Sequence, residues 1–448
     1  MTHKSVKKFG RKGRNMQENR FKIHNFYLPE QVKFVIEKLN NHGFEAFAVG
    51  GCVRDTVMGR MPGDYDVTTS ALPDEMIKVF ADTKTVETGL KHGTLTIVKD
   101  GMNVETTTYR VDGAYTDHRR PDTVTFTSSL ALDLSRRDFT INAMAYNNCE
   151  IIDLFGGFRD IKDKIVRCVG RAEERYNEDG LRILRAIRFA SVLDFCLDSE
   201  CSQAVHNMKE MLTNISRERI YVEITKLLGG KGAERILCEY SDVIAAALPG
   251  IEKEQVEDAS YAFRKTKNDD KAESDVLYAL LISELNEDNA LKLIKSLKMS
   301  KADEKSIITI YRNRERFSQD NDVVNEKSVQ RLMYETDDAF PRKLAQYMCK
   351  KCSNREKKAE GIVKITDKIV CENLPRKLKD LEINGKDILE YYGVDIKKEH
   401  YSVILDDLMM DFIDGKVRNR REDLLTRVGE IEEEIKVREE QTFKTNND

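Results

Sequence analysis

The sequence predicts an α/β domain followed by an all-α remainder, on three observations. Through the first third, to about residue 153, short β-rich segments alternate with Gly, Asp and Asn turns. From about residue 155 onward, apolar residues recur with helical period and strands become hard to find. The composition, 34% charged and 40% apolar over 448 residues, suits several domains carrying long amphipathic helices with solvated faces.

The elements follow in order. Residues 1–25 hold eight Lys or Arg against Glu18 alone, so this end carries +7 and leaves −11 for the rest of a chain of net charge −4. Segment 1–24 therefore reads as a flexible basic extension, either solubilising or touching phosphates. It has no apolar core for a signal peptide. QVKFVIEKL predicts a short amphipathic helix. AFAVGG, YDVTTS, GTLTIV, MNVETTTY and TVTF predict strands.

Breaks fall at 155–158 (FGGF), 228–232 (LGGKG) and 374–380 (LPRKLKD). EDGLRILRAIRFASVL, RIYVEITKLL, DVLYALLISEL, NALKLIKSL and SVILDDLMMDFI predict amphipathic helices, and EIEEEIKVREEQTFKTNND the end of one that frays. No apolar run reaches the roughly eighteen residues of a membrane span. Nine scattered cysteines fit a reducing cytoplasm. Cys349 and Cys352 have metal-like spacing, but no second pair accompanies them, so they read as two helix residues.

The chemistry concentrates in GDYDVTTS, residues 63–70. Residues two apart on a strand share a face, so Asp64 and Asp66 would present two carboxylates side by side. Adjacent anions need neutralising, and hard oxygen ligands suit Mg²⁺, which completes its shell with phosphate oxygens. Glu105, in MNVETTTYR, is the candidate third acid from a neighbouring strand. Upstream, Gly50 and Gly51 join a strand to a helix, where backbone N–H groups can approach phosphates. Arg54 would add a fixed positive charge there. The pattern fits two-metal phosphoryl or nucleotidyl transfer. A DxD pair alone also occurs in glycosyltransferases and on ordinary surfaces; the glycine turn at this spacing makes it far more specific.

GGCVRDTVMGRMPGDYDVTTSALPDEM resembles the head signature of class II tRNA nucleotidyltransferases and bacterial poly(A) polymerases, members of the DNA polymerase β nucleotidyltransferase superfamily. The likeness continues through RRDFTINAMAYN, IIDLFGGFRDI, RYNEDGLRILRAIRF and ISRERIYVEITKLL, over roughly residues 45–230. Beyond that, LEINGKDILEYYG resembles the family's tail, but GVDIKKEH stands where a PG-like turn is usual.

The resemblance implies a polymerase β-like head over 25–153, a helical neck over 154–230, a body over 231–372 and a tail over 373–448. It implies that Asp64 and Asp66, with Glu105, hold Mg²⁺, one ion activating a 3′-hydroxyl and the other steadying a triphosphate. Gly50, Gly51 and Arg54 would handle that triphosphate. Arg137 would contact phosphates and Asp138 the ribose 2′-hydroxyl, supported by Arg136 and Asn142. Asp153, Gly156, Gly157 and Asp160 resemble the head–neck hinge.

In NEDGLRILRAIRF, a helix would place Asp179 and Arg182 on one face, with Glu178 at i, i+4 from Arg182. An ordinary surface ion pair has the same spacing. Cytosine and adenine both offer an amine donor beside a ring-nitrogen acceptor. A carboxylate and a guanidinium match that pattern, while uracil and guanine would leave buried groups unpaired, at about 1–3 kcal/mol each. The resemblance assigns this reading to Asp179 and Arg182, with Arg185 contributing and Arg188 pairing within the neck.

VETGLKHGTLTIVKDGMNVETTTYR resembles CCA-adding enzymes and lacks the GRRF-like segment of poly(A) polymerases. YRVDGAYTDHRRPDTVTF (109–126) resembles the flexible loop that CC-only enzymes lack, with Gly113 as pivot and Pro121 near its end. Its movement could reshape the pocket when C gives way to A. The implied activity is addition of C, C and A to tRNA from CTP and ATP, with A-only addition, poly(A) synthesis or a non-catalytic RNA-binding protein on the same fold as alternatives. The helical half would bind the acceptor arm and elbow of tRNA by backbone shape. LPRKLKD and DGKVRNRRED carry basic clusters that suit phosphates or are solvated helix ends. DVLYALLISEL lacks an HD pair, so no phosphohydrolase activity is expected.

Overall fold

The computed structural model describes residues 19–22, 26–113, 115, 123–264, 272–319, 321–393 and 396–445. The chain divides into two units, Met1–Glu257 with Ser296–Lys298, and Asp258–Lys295 with Met299–Asp448. The first begins with β1 (Asn19–Lys22), α1 (Glu30–Asn41), β2 (Ala46–Val49), α2 (Gly51–Val57), β3 (Asp66–Thr69) and α3 (Pro73–Val79). Then come β4 (Lys84–Val86), β5 (Thr94–Lys99), β6 (Met102–Thr108), β7 (Arg110–Asp112), β8 (Val124–Phe126) and α4 (Leu130–Ser135). β9 (Met144–Asn147) and β10 (Glu150–Asp153) complete the sheet.

Eight strands pair in the order β1-β10-β9-β2-β3-β6-β5-β4. Only β3–β6 is parallel. α1 buries Val32, Val35, Ile36 and Leu39, the i, i+3, i+4, i+7 stripe of an amphipathic helix, against Ala46, Val67, Ile97 and Val104 of the sheet. Each such side chain contributes about 1.5–3 kcal/mol of burial. The sheet's other face carries Val49, Ala145 and Ile152 against Leu134.

Part of the basic extension is a strand, contrary to the sequence expectation. Asn19–Lys22 pairs antiparallel with β10, and Phe21 stacks on Phe158 with centroids 4.9 Å apart. An open sheet edge and one aromatic contact outweigh the local charge. Residues 1–18 of the extension, and 114 and 116–122 of the proposed loop, lie outside the described residues.

The helical part of the first unit holds α5 (Gly157–Asp163), β11 (Ile165–Val166), α6 (Ala172–Glu178), α7 (Leu181–Leu193), β12 (Cys196–Leu197), α8 (Ser199–Asn207) and α9 (Arg217–Leu228). α10 (Ala233–Glu239) and α11 (Ser241–Ala247) follow, and the unit boundary falls within α12 (Lys253–Ser260). At the end of β10, Asp153 accepts from the backbone N–H of Gly156 (2.8 Å), Gly157 (2.9 Å) and Phe158 (2.9 Å), capping α5. A Cβ on Gly157 would lie 2.2 Å from the Thr140 carbonyl oxygen, so only glycine fits there.

The second unit is built from α13 (Ser274–Leu281), α14 (Glu287–Ser296), α15 (Lys301–Asn313), α16 (Glu326–Glu335), α17 (Phe340–Lys351) and α18 (Glu356–Cys371). α19 (Gly385–Tyr392), α20 (Tyr401–Ile413) and α21 (Arg421–Thr445) end it. Cys349 lies in α17 and Cys352 just past its end; both are free thiols. No helix among the described residues is long and apolar enough to cross a membrane.

His400, buried ahead of α20, pairs through Nδ1 with Glu432 (2.7 Å) and through Nε2 with Glu439 (3.1 Å), both on α21. The hydrogen bond to Glu432 raises its pKa above the ordinary 6.5. A raised folded value adds stability that is complete below the unfolded pKa and is lost as pH rises through the folded one. The thermal midpoint should therefore be lower at about pH 8.5 than at about pH 6. His400→Gln should shrink that difference, read by circular dichroism.

Candidate active site

β2 ends at Val49 because Gly50 turns the chain out of the sheet, with φ +81°, into α2. A Cβ on Gly50 would lie 3.2 Å from Arg137 Nη1 and 4.0 Å from Asp66 Oδ2. Backbone, guanidinium and carboxylate therefore converge at this turn. Gly50→Ala places a side chain in a left-handed conformation, costing about 1–2 kcal/mol, and pushes on Arg137. It should lower the unfolding midpoint by about 2–4 °C, read by circular dichroism.

Asp66 opens β3 opposite Val49 and, on the other side, opposite Glu105 of β6. Directly paired residues share a face, so these two carboxylates are neighbours. Asp64 was expected on the same strand, but it lies before β3. The glycine turn takes β2 away at Val49, so pairing on that side stops at Asp66. Asp64 and Asp66 still flank the buried Tyr65. The surrounding protein strips water from the Asp66 carboxyl, and the charge of Asp64 adds to this. Arg137 opposes them and Glu105 reinforces them, and the pKa is pushed up to about 6. Among the described residues, no three His, Cys, Asp or Glu already form a metal-holding group. A cleft of about 480 Å³ beside Asp64 is lined by Tyr27, Met61, Tyr65 and Asn103.

Arg54 is buried. It pairs with Asp55 (2.8 Å) and donates to Asn142 Oδ1 (2.7 Å). Asn142 in turn donates to Asp138 Oδ1 (3.2 Å). Asp138 accepts from Arg185 Nε at 2.9 Å. Burial alone would raise the Asp138 pKa, but Arg185 and Arg182 beside it hold it well below the usual carboxylate range. Arg185, expected beside the base, is thus engaged with Asp138. Arg136 donates to Asp133 from Nε (3.0 Å) and Nη2 (2.8 Å), and Arg137 lies 3.6 Å from the other oxygen of Asp133.

The helix expected to carry Asp179 and Arg182 is broken between them. α6 ends at Glu178, and Asp179 is extended, with φ −141° and ψ 106°. Its Oδ1 accepts the Leu181 N–H at 3.0 Å, capping the start of α7. Asp179 Oδ2 accepts from Arg219 of α9 at 2.7 Å. Arg182 binds Glu178 (2.5 Å), the i, i+4 pair the spacing predicts, and the carbonyls of Arg175 (3.2 Å) and Arg136 (3.3 Å). Arg188 pairs with Glu223 of α9 at 2.8 Å, within the neck.

Three supports escape the sequence reading. Asp133 could have been found from its i, i+3 and i, i+4 spacing to Arg136 and Arg137 in LDLSRRD. Arg219 and Glu223 had no local signal, because their partners lie 40 and 35 residues away.

Comparison with known proteins matches three family models. Poly A polymerase head domain matches residues 46–167, the probable RNA and SrmB-binding site of polymerase A matches 194–251, and tRNA nucleotidyltransferase domain 2 (putative) matches 249–428. The CCA-adding enzyme of Lactobacillus delbrueckii subsp. bulgaricus is 44% identical over 258 residues, 56% of this chain and 64% of the relative. That of Lactiplantibacillus plantarum is 49% identical over 203 residues, 45% of this chain and 49% of the relative. The matches thus span less than two thirds of these relatives. The crystal structure of Bacillus stearothermophilus CCA-adding enzyme in complex with CTP superposes with TM-score 0.77 at 30% identity, covering 92% of this chain and 98% of that one.

Proposed function

This chain belongs to the family of CCA-adding enzymes, and on that premise we propose that it adds C, C and A to the 3′ end of tRNA from CTP and ATP. The observation that carries this is the convergence of Asp66, Glu105, Gly50 and Arg137 at one turn. In each addition the terminal 3′-oxygen bonds to the α-phosphorus of the nucleotide. The bond to the β-phosphate oxygen breaks, pyrophosphate leaves and the hydroxyl proton is released.

Arg137 and the Gly50–Gly51 backbone hold the triphosphate, and Arg54 fixes Asn142 behind them. Asp138, oriented by Arg185 and Asn142, accepts the ribose 2′-hydroxyl. Asp179 accepts the amine of cytosine or adenine, and Arg182 donates to the ring nitrogen beside it. The cleft beside Asp64 suits the RNA 3′ end.

The residues fit Mg²⁺: Asp64 and Asp66 are hard oxygen donors, and Glu105 stands opposite Asp66 across the parallel pair. Asp64 and Asp66 would hold the ion, which when bound would supply Lewis acidity toward the hydroxyl and positive charge against the triphosphate. Glu105 supports Asp66 from β6. A cytoplasmic setting accords with the nine free thiols.

The test is extension of three tRNA transcripts, ending before CCA, after one C and after CC, with CTP, ATP or both. Two C additions, one A and a stop are expected. Extension of only the CC-ending transcript would indicate an A-adding enzyme, and a long A ladder a poly(A) polymerase.

A further inference from the structure

We propose that Arg219, on α9, is the positioning residue for base choice. The inference rests on the assignment of Asp179 as a base-reading carboxylate. Asp179 stands in a break between two helices, where its backbone is extended while its N–H and C=O bond to Arg175 and Arg182. Two contacts orient the side chain. The Leu181 N–H holds Oδ1 (3.0 Å) and Arg219 Nη2 holds Oδ2 (2.7 Å). The first is local and leaves the carboxylate free to pivot about it. The second comes from another helix and removes that freedom.

Two further observations bear on Arg219. Its Nη1 is buried and has no hydrogen-bond partner among the described residues. A buried guanidinium donor is rarely left unpaired, which points to an acceptor brought by a ligand. Its neighbour one turn along α9, Glu223, binds Arg188 and lies 4.0 Å from Arg185, the residue that holds Asp138. α9 thus backs the base-reading carboxylate through Arg219 and the Asp138 side through Glu223. The two supports are separate, so loss of Arg219 should alter base choice and spare sugar choice. A purely structural arginine would lower both together.

The test uses the full chain with Arg219→Gln and Arg219→Lys. Single-nucleotide addition of CTP, ATP, UTP and GTP to tRNA transcripts ending before CCA and after CC gives kcat and KM separately. CTP against dCTP gives sugar choice. Arg219→Gln should raise the UTP-to-CTP ratio of kcat/KM at least about tenfold. The CTP-to-dCTP ratio should stay unchanged, and Arg219→Lys should recover part of the base selectivity. Equal loss for every nucleotide, or unchanged base ratios in both variants, would overturn the proposal. If Arg219→Gln does not fold, an unchanged base ratio in Arg219→Lys overturns it alone. Failure of the unsubstituted chain to add C or A would instead remove the function on which the proposal rests.

Discussion

Asp66→Asn should reduce nucleotide addition by at least about 10³-fold while tRNA binding persists, because the change removes charge where the triphosphate reacts and almost no volume. The argument is electrostatic. Asp66 faces Glu105 across a parallel pair, and Asp64 stands two residues away. Three acids this close repel one another, and Arg137 is the cation that opposes them at Asp66. Such an arrangement is costly in a resting protein and useful when cations and a polyphosphate arrive together. The same substitution should therefore raise the unfolding temperature of the metal-free protein. Single-turnover extension and a thermal melt on one preparation read both effects. Lost activity with a higher midpoint marks a functional carboxylate. Lost activity with a lower midpoint would mean that Asp66 holds the fold, and the assignment would fail.

The way this site is assembled explains what the sequence disclosed. Strands β2, β3, β5, β6 and β8 were legible because their turn residues are local: Gly50 after Ala46–Val49, Gly101 between β5 and β6. Glu105 was legible as an acid within a β-rich segment, but its register opposite Asp66 is a tertiary fact. Asp64 was misplaced on β3, since strand length depends on the partner, and β2 stops at Val49. The helix across residue 179 was misread for a related reason. Periodicity runs on through EDGLRILRAIRF, while one aspartate bonding the backbone two residues on is enough to part α6 from α7. β1 was missed because its evidence is an open edge at β10, some 130 residues later in the chain. The Asp179–Arg219 and Arg188–Glu223 pairs are likewise long-range, and no spacing rule reaches them.

Asp179→Asn should move base choice toward UTP and GTP, and the reason lies in what each group can donate. The carboxylate only accepts, so it matches the exocyclic amine of cytosine or adenine. Uracil and guanine place a carbonyl oxygen at that position, and acceptor would meet acceptor. The amide of asparagine has the same shape and brings two N–H donors. Its oxygen can still accept the Leu181 N–H that now meets Asp179 Oδ1, so the start of α7 is preserved. Its nitrogen would then replace Oδ2, which loses the ion pair with Arg219 and points a donor where the carbonyl of uracil or guanine arrives. The UTP-to-CTP and GTP-to-ATP ratios of kcat/KM should each rise about 10–100-fold, the range spanned by one mismatched buried hydrogen bond. Asp179→Ala should differ in kind. It removes the cap and the acceptor together, lowering CTP and ATP use without creating a preference for UTP or GTP. If Asp179→Asn kept full discrimination, the bases would be read elsewhere, with Asp179 serving only to cap α7.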